Sequence, residues 1–359
     1  MSQLELFRRF PATERLEHVE LASLPTPVQH LEGLGAELGL GGLWIKRDDK
    51  TSSLYGGNKV RKLEFLLGDA LAQKRSGVWT VGAIGSHHVL ATSLYARQSG
   101  LEPHALHFPQ PLTDHVREVL KALSTTRPEL ELASSKNTMP VKLAKRRIRQ
   151  WLSRTENPYY IPGGGSAPRG VLGYVNAALE LATQIDNGQL PMPDVIVVAA
   201  GTCGTLAGLE LGRRLAELPT RIIGVRVVDK LLANPLVTAN LANRAGKILA
   251  EYGVDVPRIR ASDIHMIDDQ FGPGYGEETP QGLAAIELAE AFSDVELDPT
   301  YTAKAFAGLI HFDSSPQRPI KNALYWHTLS SADLSPLIED ADITSGLPPE
   351  YQKFFSRTS

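Results

Sequence analysis

Short runs of apolar, mostly β-branched residues alternate along the chain with longer stretches in which apolar residues recur every three or four positions. Residues 194–200 form the strongest run, and a continuous segment of this kind is typical of a strand buried on both faces. Residues 59–75 place Leu63, Leu66 and Leu67 on one face of a helix. This alternation predicts an α/β protein built from open, twisted parallel sheets with flanking helices.

The same alternation predicts further elements on both sides of that strand. Strands are expected at residues 43–45, 78–81, 104–108, 130–132 and 221–228. Helices are expected at residues 88–98, 114–123, 141–154 and 170–185, and another helix starts at the end of the loop 201–205. Residues 267–280 and 312–319 contain several turn-forming residues and are the main segments expected to be irregular.

Composition and charge narrow the class of protein. The chain has 359 residues, enough for two ordinary domains, with 42% hydrophobic and 21% charged residues and a net charge of −3. This charge gives no electrostatic basis for binding nucleic acid or an anionic membrane. Cys203 is the only cysteine, which excludes an internal disulfide, and no apolar stretch is long enough to predict a membrane-spanning helix. We therefore expect a cytoplasmic protein.

Lys59 is the first candidate for chemistry. The turn Gly56-Gly57-Asn58 delivers it to the start of the helix predicted at residues 59–75. An amine becomes nucleophilic when its pKa falls, and cationic neighbours and a helix N-terminus both lower that pKa. Arg61 and Lys62 supply such neighbours, so the segment is suited to a Schiff-base lysine. An ordinary helix start with a basic first turn is the alternative.

A second candidate is the loop between the strand at residues 194–200 and the following helix. Its small residues let backbone N–H groups converge, and a helix N-terminus favours an anion. The loop matches neither a Walker motif nor a Gly-x-Gly-x-x-Gly fingerprint, so a single phosphate fits better than a pyrophosphate. A tight turn needed only for packing is the alternative. The candidate phosphate-binding residues are Ala200, Gly201, Thr202, Cys203, Gly204 and Thr205.

Ser86 occupies another turn from strand to helix and is followed by His87 and His88. Its hydroxyl can donate to a substrate carboxylate or relay a proton, and it can equally serve as the N-cap of the helix. Adjacent histidines on a helix point about 100° apart, so they do not form a pincer for a metal ion. No metal site is expected there.

Two tyrosines and a glycine triplet complete the candidates. Tyr275 lies in a loop framed by glycines, and Tyr301 directly precedes a predicted helix. Each hydroxyl can act as an acid, a base or a hydrogen-bond donor, while packing with a solvated hydroxyl is the alternative. The triplet at residues 163–165, with Ser166, either lets the backbone approach a ligand or forms a domain hinge.

Taken together, these motifs closely resemble one family. It comprises the pyridoxal-phosphate-dependent D-cysteine desulfhydrases and 1-aminocyclopropane-1-carboxylate (ACC) deaminases of the tryptophan synthase β-like superfamily, fold type II. The matching stretches follow in order at residues 45–49, 56–64, 158–181, 272–276 and 298–309. The resemblance implies that Lys59 forms the internal aldimine with pyridoxal 5′-phosphate. It also implies a phosphate-side role for Lys62 and a phosphate loop at residues 200–205.

The resemblance implies substrate-side roles as well. Ser86 aligns with a serine beside the substrate carboxylate that is implicated in proton transfer, and Tyr275 and Tyr301 align with two active-site tyrosines. Thr302 matches the desulfhydrase branch, in which a hydroxyl faces the pyridine nitrogen of the cofactor. A neutral partner of this kind implies an unprotonated pyridine and suits β-elimination. Further substrate contacts are expected from His87, His88, Gly165 and Thr328.

The fold implied by the resemblance has two domains in each subunit of a homodimer. A small α/β domain at residues 57–166 is inserted into a larger cofactor-binding domain formed by residues 1–56 and 167–359. The cofactor is expected in the cleft between these domains, which is a common place for a ligand.

Three departures from the family pattern leave the substrate open. His87 stands where the family has an asparagine near the 3′-oxygen of the cofactor, and Val89-Leu90-Ala91 stands where an Arg-Gln pair is common. Leu329-Ser330-Ser331 follows Thr328, where two glycines are usual. The expected function is a lyase that acts on a small amino acid and releases a 2-oxo acid and ammonia. The alternatives are an ACC deaminase-like enzyme, a racemase or a β-replacement enzyme, and, from another class, a cofactor-binding protein without turnover.

Overall fold

The computed structural model describes residues 3–135, 138–152, 158–312, 320–339 and 341–355. Strands within these residues are β1 (Val28–His30), β2 (Gly42–Arg47), β3 (Gly77–Ala83), β4 (Glu102–Phe108), β5 (Glu129–Leu132), β6 (Tyr159–Tyr160), β7 (Val195–Ala200), β8 (Arg221–Arg226), β9 (His265–Ile267) and β10 (Asn322–His327). Helices are α1 (Glu5–Arg9), α2 (Glu32–Glu37), α3 (Lys59–Ala72), α4 (His87–Gln98), α5 (Asp114–Ser124), α6 (Met139–Leu152), α7 (Pro168–Asp186), α8 (Gly204–Leu215), α9 (Pro235–Glu251), α10 (Pro280–Phe292), α11 (Thr302–Ile310), α12 (Ser335–Glu339), α13 (Ile343–Gly346) and α14 (Pro349–Gln352).

The chain divides into two compact units. The first unit consists of Met1–Leu16, Ala22–Lys62 and Ser166–Ala332, and the second of Glu17–Leu21, Leu63–Gly165 and Asp333–Ser359. These boundaries differ from the predicted ones, because residues 57–62 and 166 group with the first unit, and residues 17–21 and 333–359 with the second. The last difference arises because α12 and α13 pack against α5, a long-range contact that local sequence patterns do not reveal.

The first unit contains a six-stranded sheet with the order β1-β2-β10-β7-β8-β9. β1 pairs with β2 in the antiparallel sense, and the other neighbouring strands of this sheet are parallel. Trp326 of β10 lies between Lys46 of β2 and Val198 of β7 in the register. The carboxyl ends of these three strands therefore lie at the same edge of the sheet, where ligands bind in open α/β folds.

β7 lies inside this sheet, between β10 and β8. All six of its residues are buried, and their sequence is Val-Ile-Val-Val-Ala-Ala. α8 and α11 pack against the strand. β-branched side chains suit such a pleated, covered surface, which explains why the continuous apolar run at residues 194–200 predicts a buried strand correctly.

α7 and α8 approach each other closely because α8 presents glycines to α7. A Cβ atom at Gly208 would lie 2.4 Å from Tyr174 Cβ, and one at Gly212 would lie 2.6 Å from the Val175 carbonyl oxygen. Such separations are too short for a side chain, so glycine is required at both positions. Since α8 follows directly on the candidate phosphate loop, this packing fixes the direction of its N-terminus.

The second unit contains a parallel sheet with the order β5-β4-β3-β6. α4 packs against β3 and β4, and α5 packs against α4. The C-terminal helices complete this unit, since Tyr351 of α14 is buried and its hydroxyl lies 3.0 Å from His107 Nδ1 of β4. This unit therefore places the turn between β3 and α4, with Ser86, on a sheet of its own.

The predicted fold class is confirmed, and the predicted strands and helices are present with ends that differ by a few residues. Short elements such as β1, β6 and β9 were not predicted. The last two residues of the predicted helix 141–154, and residues 313–319 of the predicted irregular segment, lie outside the described residues. Among the helices that the structure describes, none combines the length and the apolar character needed to cross a membrane.

Candidate active site

A cluster of buried charged side chains fixes the start of α3 in the first unit. Arg61 donates hydrogen bonds to Asp48 and to Glu180 at distances of 2.8–3.1 Å. Lys46 donates to the same Glu180 at 2.6 Å. Buried charges are tolerated only when they are paired and hydrogen-bonded in this way. The cluster connects β2 and α7 to the first turn of α3, which begins with Lys59.

Lys59 directs its amine to the neighbouring Asn58. Its Nζ donates to Asn58 Oδ1 at 2.5 Å, and Asn58 Nδ2 donates to Thr205 Oγ1 at 3.1 Å. Burial lowers the pKa of Lys59 to about 8, although the Asp298 carboxylate acts in the opposite direction. About a tenth of this amine is therefore uncharged at pH 7, against less than about a thousandth at the ordinary pKa of 10.5. Asn58 connects it to the candidate phosphate loop.

The cause of this lowered pKa differs from the predicted one. Arg61 was expected to repel Lys59, but its charge is balanced by Asp48 and Glu180 in the buried cluster. The pKa of Lys62 falls well below its usual value, first through burial and then through repulsion by Lys59. Burial is the main cause at Lys59 itself, and burial of this lysine cannot be recognised from its sequence neighbours.

The candidate phosphate loop joins β7 to α8 and closes onto Ser166. Cys203 adopts the left-handed conformation, with a φ of 65°, where the chain turns into α8. Ser166 Oγ accepts a hydrogen bond from Gly204 N at 3.2 Å and lies 2.6 Å from Thr202 Oγ1. A Cβ atom at Gly204 would lie 2.5 Å from Ser166 Oγ and 3.2 Å from Lys62 Nζ. Glycine at this position therefore lets the lysine amine approach the helix N-terminus.

These features fit a bound phosphate group. Backbone N–H groups and the helix dipole favour an anion at the first turn of α8, and Lys62 brings a cationic group to the same place. An anion there would offset the cost of burying the Lys62 charge, which otherwise lowers its pKa. Thr202 and Thr205 add hydroxyl groups to the loop. The donor set therefore suits one phosphate, as the loop sequence predicts.

Tyr275 and Tyr301 meet through their hydroxyl groups, which share a short hydrogen bond. The two rings lie edge to face with centroids 6.1 Å apart. Burial is the main cause that raises the pKa of both phenols, so both are protonated near neutral pH. A Cβ atom at Gly201 would lie 3.8 Å from Tyr301 Cε1, which puts this pair of proton-bearing groups beside the phosphate loop.

The loop that carries Tyr275 is held in place by two cations. Lys304 of α11 donates to the Phe271 carbonyl at 2.8 Å, and Arg226 of β8 pairs with Asp268 at 2.8 Å. The loop therefore has fixed contacts to α11 and β8 on the N-terminal side of the tyrosine.

Asp298 shapes the turn that leads into α11. Its carboxylate accepts hydrogen bonds from the backbone N–H groups of Thr300, Tyr301 and Thr302 at 2.7–3.1 Å. Asp298 Oδ2 also accepts from the Thr302 hydroxyl at 2.7 Å. Thr302 is 1% exposed, so this side chain is held between the turn and the interior of the unit.

The segment that replaces the usual two glycines after Thr328 lies against the turn that precedes α3. Asn58 N donates to the Thr328 carbonyl at 3.2 Å. Gly57 has a φ of 85°, and a Cβ atom there would lie 2.9 Å from the Leu329 carbonyl oxygen. Ser331 Oγ donates to the Asp49 carbonyl at 3.1 Å. This segment therefore fixes the backbone turn from which α3 starts.

In the second unit, Ser86 caps α4. Its Oγ accepts a hydrogen bond from Val89 N at 3.4 Å, which is the N-cap arrangement. Gly82 makes room for it, since a Cβ atom there would lie 2.6 Å from Ser86 Oγ. The N-cap interpretation is correct, and it is compatible with a second role, because a hydroxyl that accepts a hydrogen bond still has its own hydrogen to donate.

His87 begins α4 and contacts His115 of α5. The two Nε2 atoms are 2.9 Å apart, and the ring centroids are 5.0 Å apart. Two imidazoles share such a hydrogen bond when one Nε2 is protonated and the other is not. His115 Nδ1 also lies 3.8 Å from Glu118. The residue that departs from the family's asparagine is thus held by a second histidine.

His88 points into the interior of the second unit and is 5% exposed. Its Nε2 lies 2.9 Å from Thr80 Oγ1, and its Nδ1 lies 3.5 Å from Thr92 Oγ1. These contacts occupy both ring nitrogens, so the structure favours a packing role over the predicted substrate contact.

Gly165 is buried, with a φ of 65°, and donates to the Pro162 carbonyl at 2.8 Å.

Comparison with known proteins establishes the family. Residues 19–327 match the family described as pyridoxal-phosphate dependent enzyme. The chain belongs to this family. The predicted cofactor, pyridoxal 5′-phosphate, and the prediction that the chain is an enzyme are therefore confirmed.

Individual relatives of this pyridoxal-phosphate-dependent enzyme agree with the predicted resemblance. A D-cysteine desulfhydrase from Salmonella paratyphi B is 37% identical over 305 residues, which cover 82% of this chain and 88% of that protein. The crystal structure of an ACC deaminase homologue aligns with a TM-score of 0.76 and 32% identity, covering 92% of this chain and 96% of that one. A fungal L-serine ammonia-lyase from Rhizomucor miehei has a TM-score of 0.58 at 19% identity, covering 89% of this chain and 98% of that one, and it supports the fold alone.

Three residues around the predicted sites were not assigned a role from the sequence: Asn58, Asp298 and His115. Ser166 was named only together with the glycine triplet. Asn58 and Ser166 adjoin motifs that were recognised, Lys59 and the glycine triplet, so adjacency was a usable signal. Asp298 opens the last matching stretch. His115 has no local signal, because its partner His87 is 28 positions away.

Proposed function

We propose that this pyridoxal-phosphate-dependent enzyme is a lyase that removes a β-leaving group from a small amino acid and releases a 2-oxo acid and ammonia. The observation that carries the proposal is Lys59, whose pKa is lowered to about 8 and which Asn58 connects to Thr205 of the phosphate loop. Lys62 Nζ lies near Gly204 of the same loop. The 37% identity to a D-cysteine desulfhydrase supports a carbon–sulfur bond as the one that breaks.

Most of the residues that we propose to hold the cofactor belong to the first unit. Lys59 Nζ would bond to its aldehyde carbon, Lys62 and residues 200–205 would bind its phosphate, and Thr302 would face its ring nitrogen. His87 of the second unit is proposed for the 3′-oxygen side, where the family has asparagine. When bound, pyridoxal phosphate draws electrons from the α-carbon of an amino acid and so stabilises a carbanion there.

Lys59 is the proposed base for the α-proton. Its pKa of about 8 leaves about a tenth of the amine unprotonated at pH 7 and keeps its protonation close to balanced, which suits a group that takes a proton and returns it. Asn58 Oδ1 accepts a hydrogen bond from the amine and so limits the directions in which Nζ points. The same contact ties this base to Thr205 of the phosphate loop.

Tyr275 and Tyr301 are the proposed proton donors to the leaving group. Both phenols are protonated near neutral pH because burial raises their pKa. The hydrogen bond between their hydroxyls allows one phenol to stabilise the other as it gives up a proton. A thiolate or another anionic leaving group would then depart in neutral form.

The substrate carboxylate is assigned to Ser86. Its hydroxyl hydrogen is available for donation while the oxygen caps α4, and the helix N-terminus favours an anion. We further propose Gly165 and Thr328 as contacts of the substrate through their backbones, and His87 as a contact set by its hydrogen bond to His115.

The first test combines the visible spectrum with turnover. The purified protein should show a visible absorbance band from covalently held cofactor, and Lys59→Ala should abolish the band and the release of 2-oxo acid. Lys50→Ala, which changes a half-exposed lysine elsewhere in the first unit, should leave both unchanged. A wild-type protein without the band, together with a Lys59→Ala variant that behaves like it, would sink the proposal.

A panel of substrates separates the lyase from its alternatives. Release of 2-oxo acid and sulfide from D- or L-cysteine supports the lyase. Release of a 2-oxo acid and ammonia from ACC supports a deaminase, which the 32% identity to an ACC deaminase homologue keeps as the second candidate. Inversion of the α-carbon, or incorporation of an added thiol, identifies a racemase or a β-replacement enzyme. A stable band with no product from any amino acid identifies a binding protein without turnover.

We also propose a homodimer in the cytoplasm, as the resemblance to the family implies. Light scattering coupled to size-exclusion chromatography should give twice the 39.1 kDa of one chain. A mass of one chain across the micromolar range would refute the dimer. Activity recovered in the cytoplasmic fraction, rather than the membrane or extracellular fraction, would support the location.

A further inference from the structure

We propose that Asp298 is a positioning residue of this site, because its carboxylate fixes Tyr301 and Thr302 and its negative charge acts on the Lys59 amine. The inference rests on the proposed function, since it concerns groups around Lys59. Asp298 was not among the site residues predicted from the sequence, but its contacts join it to two of them, Tyr301 and Thr302.

The hydrogen bonds of Asp298 fill its acceptor sites. Oδ1 accepts from Thr300 N at 3.0 Å and Tyr301 N at 2.7 Å. Oδ2 accepts from Thr302 N at 3.1 Å and Thr302 Oγ1 at 2.7 Å. A carboxylate has about four lone-pair sites, so this one is oriented by the turn and in return orients it. Rotation of the carboxylate would break contacts to both functional residues at once.

The same contacts determine the direction of the Thr302 hydroxyl. A carboxylate can only accept, so the Thr302 hydroxyl must donate its single hydrogen to Asp298. Its oxygen already accepts from Asp298 N at 2.7 Å, which leaves one lone pair for another partner. A ring nitrogen placed against Thr302 would therefore meet an acceptor. This favours a protonated nitrogen, whereas a neutral hydroxyl alone was expected to imply an unprotonated one.

Asp298 also acts on Lys59 through its charge. Burial favours the neutral Lys59 amine, and the carboxylate opposes burial by favouring the ammonium. The balance leaves the pKa of Lys59 at about 8, between the value that burial alone would give and the ordinary value of 10.5. The negative charge thus keeps the amine able to carry a proton.

Other titratable groups interact electrostatically with the Asp298 carboxylate or with the Lys59 amine. Burial raises the pKa of the neighbouring phenols, which are Tyr275, Tyr301 and Tyr325, and lowers the pKa of the His327 imidazole, so these four groups are neutral near pH 7. Burial also lowers the pKa of Lys62, and repulsion by Lys59 lowers it further. Lys304, on α11, feels the carboxylate as well. A change of charge at Asp298 should therefore be read first at Lys59, because the phenols and the imidazole stay uncharged.

The test follows the proton on the Lys59 nitrogen in the cofactor-loaded enzyme, where that nitrogen would be bonded to the cofactor. A nearby carboxylate favours the protonated form of this nitrogen, as it does for the free amine. The visible band of Asp298→Asn is titrated with pH alongside wild type. Loss of the carboxylate charge should lower the pH midpoint of the Lys59-linked change by about 1 pH unit or more. Asp294→Asn, which removes a half-exposed carboxylate paired with Arg47, should leave the midpoint unchanged. A midpoint for Asp298→Asn within about 0.2 pH units of wild type would overturn the inference.

The variant Asp298→Glu separates the effect of charge from the effect of geometry. It also provides the test if Asp298→Asn does not fold. It keeps the charge but displaces the carboxylate by one methylene, so its midpoint should stay near wild type while kcat falls at least tenfold and KM changes less. A shifted midpoint, or an unchanged kcat, in Asp298→Glu would overturn the inference. A wild-type enzyme with no Lys59-dependent band would instead overturn the proposed function, so the two failures are distinguishable.

Discussion

Glu180→Gln offers the sharpest test of how the first unit holds α3 in place. Glu180 and Asp48 balance the charges of Lys46 and Arg61, and the side chains of all four are at most 4% exposed. Replacing the carboxylate by an amide leaves two buried cations with one buried anion. The amide N–H₂ group would also face the donors of Lys46 or Arg61, so at least one hydrogen bond would be lost as well.

The structure sets the magnitude of the effect. Burial alone would raise the pKa of Glu180, yet Arg61 and Lys46 lower it from 4.5 to about 2. At about 1.36 kcal/mol per pKa unit, this shift corresponds to about 3 kcal/mol. Removal of one partner from a buried ion pair costs about 3–5 kcal/mol, which is the same range. We expect Glu180→Gln to lower the free energy of unfolding by about 3 kcal/mol at pH 7.

The effect has a defined dependence on pH. The folded-state pKa of Glu180 lies below its unfolded value, so the stabilisation is complete above about pH 4.5 and is lost as the pH falls toward about 2. The difference between wild type and Glu180→Gln should therefore be constant from pH 7 to pH 5. It should shrink below about pH 4.5, where the wild-type carboxylate begins to lose its advantage.

Urea unfolding followed by tryptophan fluorescence suits the measurement, because Trp326 Nε1 donates to Asp48 in the same cluster. Glu210→Gln is the matched control. Glu210 also binds two cations, but the side chains of Arg213 and Arg214 are 19% and 25% exposed. Ion pairs that reach water contribute about 0–1 kcal/mol. If Glu180→Gln costs no more than Glu210→Gln, the account of the buried cluster is wrong.

Three further predictions concern the site. Gly204→Ala would bring a Cβ atom within 2.5 Å of Ser166 Oγ and 3.2 Å of Lys62 Nζ, so the affinity for the cofactor, measured by equilibrium titration, should fall about tenfold or more, or about 1.4 kcal/mol. Gly41→Ala is the control, because a Cβ atom there has nothing within 4 Å and should leave the affinity unchanged. Equal affinities of the two variants would contradict the phosphate assignment. In cofactor-free protein, modification of Lys59 by an amine reagent, followed by peptide mass spectrometry, should be half-maximal near pH 8, because burial lowers its pKa; a midpoint near 10.5 would refute that cause. Tyr301→Phe removes the hydroxyl that bonds to Tyr275, so kcat should fall about 10²-fold or more with a smaller change in KM. Tyr252→Phe is the control variant, and an equal kcat in the two variants would exclude Tyr301 from proton transfer.

Local patterns predict the fold well where the physical cause is itself local. β7 is recognisable because a strand covered on both faces needs a continuous apolar run, and its six residues supply one. The N-cap of α4 is recognisable because a serine at the start of an apolar periodic stretch satisfies a free N–H group. The boundaries of the two units are harder to predict from the sequence, because α12 and α13 contact α5 although they lie more than 200 positions from it in the chain.

Buried charge is the feature that sequence patterns describe least well. Lys46 and Arg61 look like ordinary surface residues, since long charged side chains are rarely buried. Lys46 becomes tolerable through Glu180, 134 positions away, and Arg61 through Asp48 together with Glu180, which is 119 positions away. The same limit explains the wrong cause assigned to the pKa of Lys59, because a neighbouring cation is visible in the sequence and its compensating carboxylate is not.

Two of the three departures from the family pattern lie in different units of the structure. Thr328 and Leu329 present carbonyl groups to Asn58 N and Gly57, so the altered segment controls the backbone from which Lys59 projects. A glycine at position 329 would give this backbone more conformational freedom, and fixing it would cost more conformational entropy than fixing leucine does. The present residues therefore favour a more rigid turn and a preorganised amine. His87, by contrast, belongs to the other unit and is hydrogen-bonded to His115, so a substitution at His87 would leave the contacts of this turn intact.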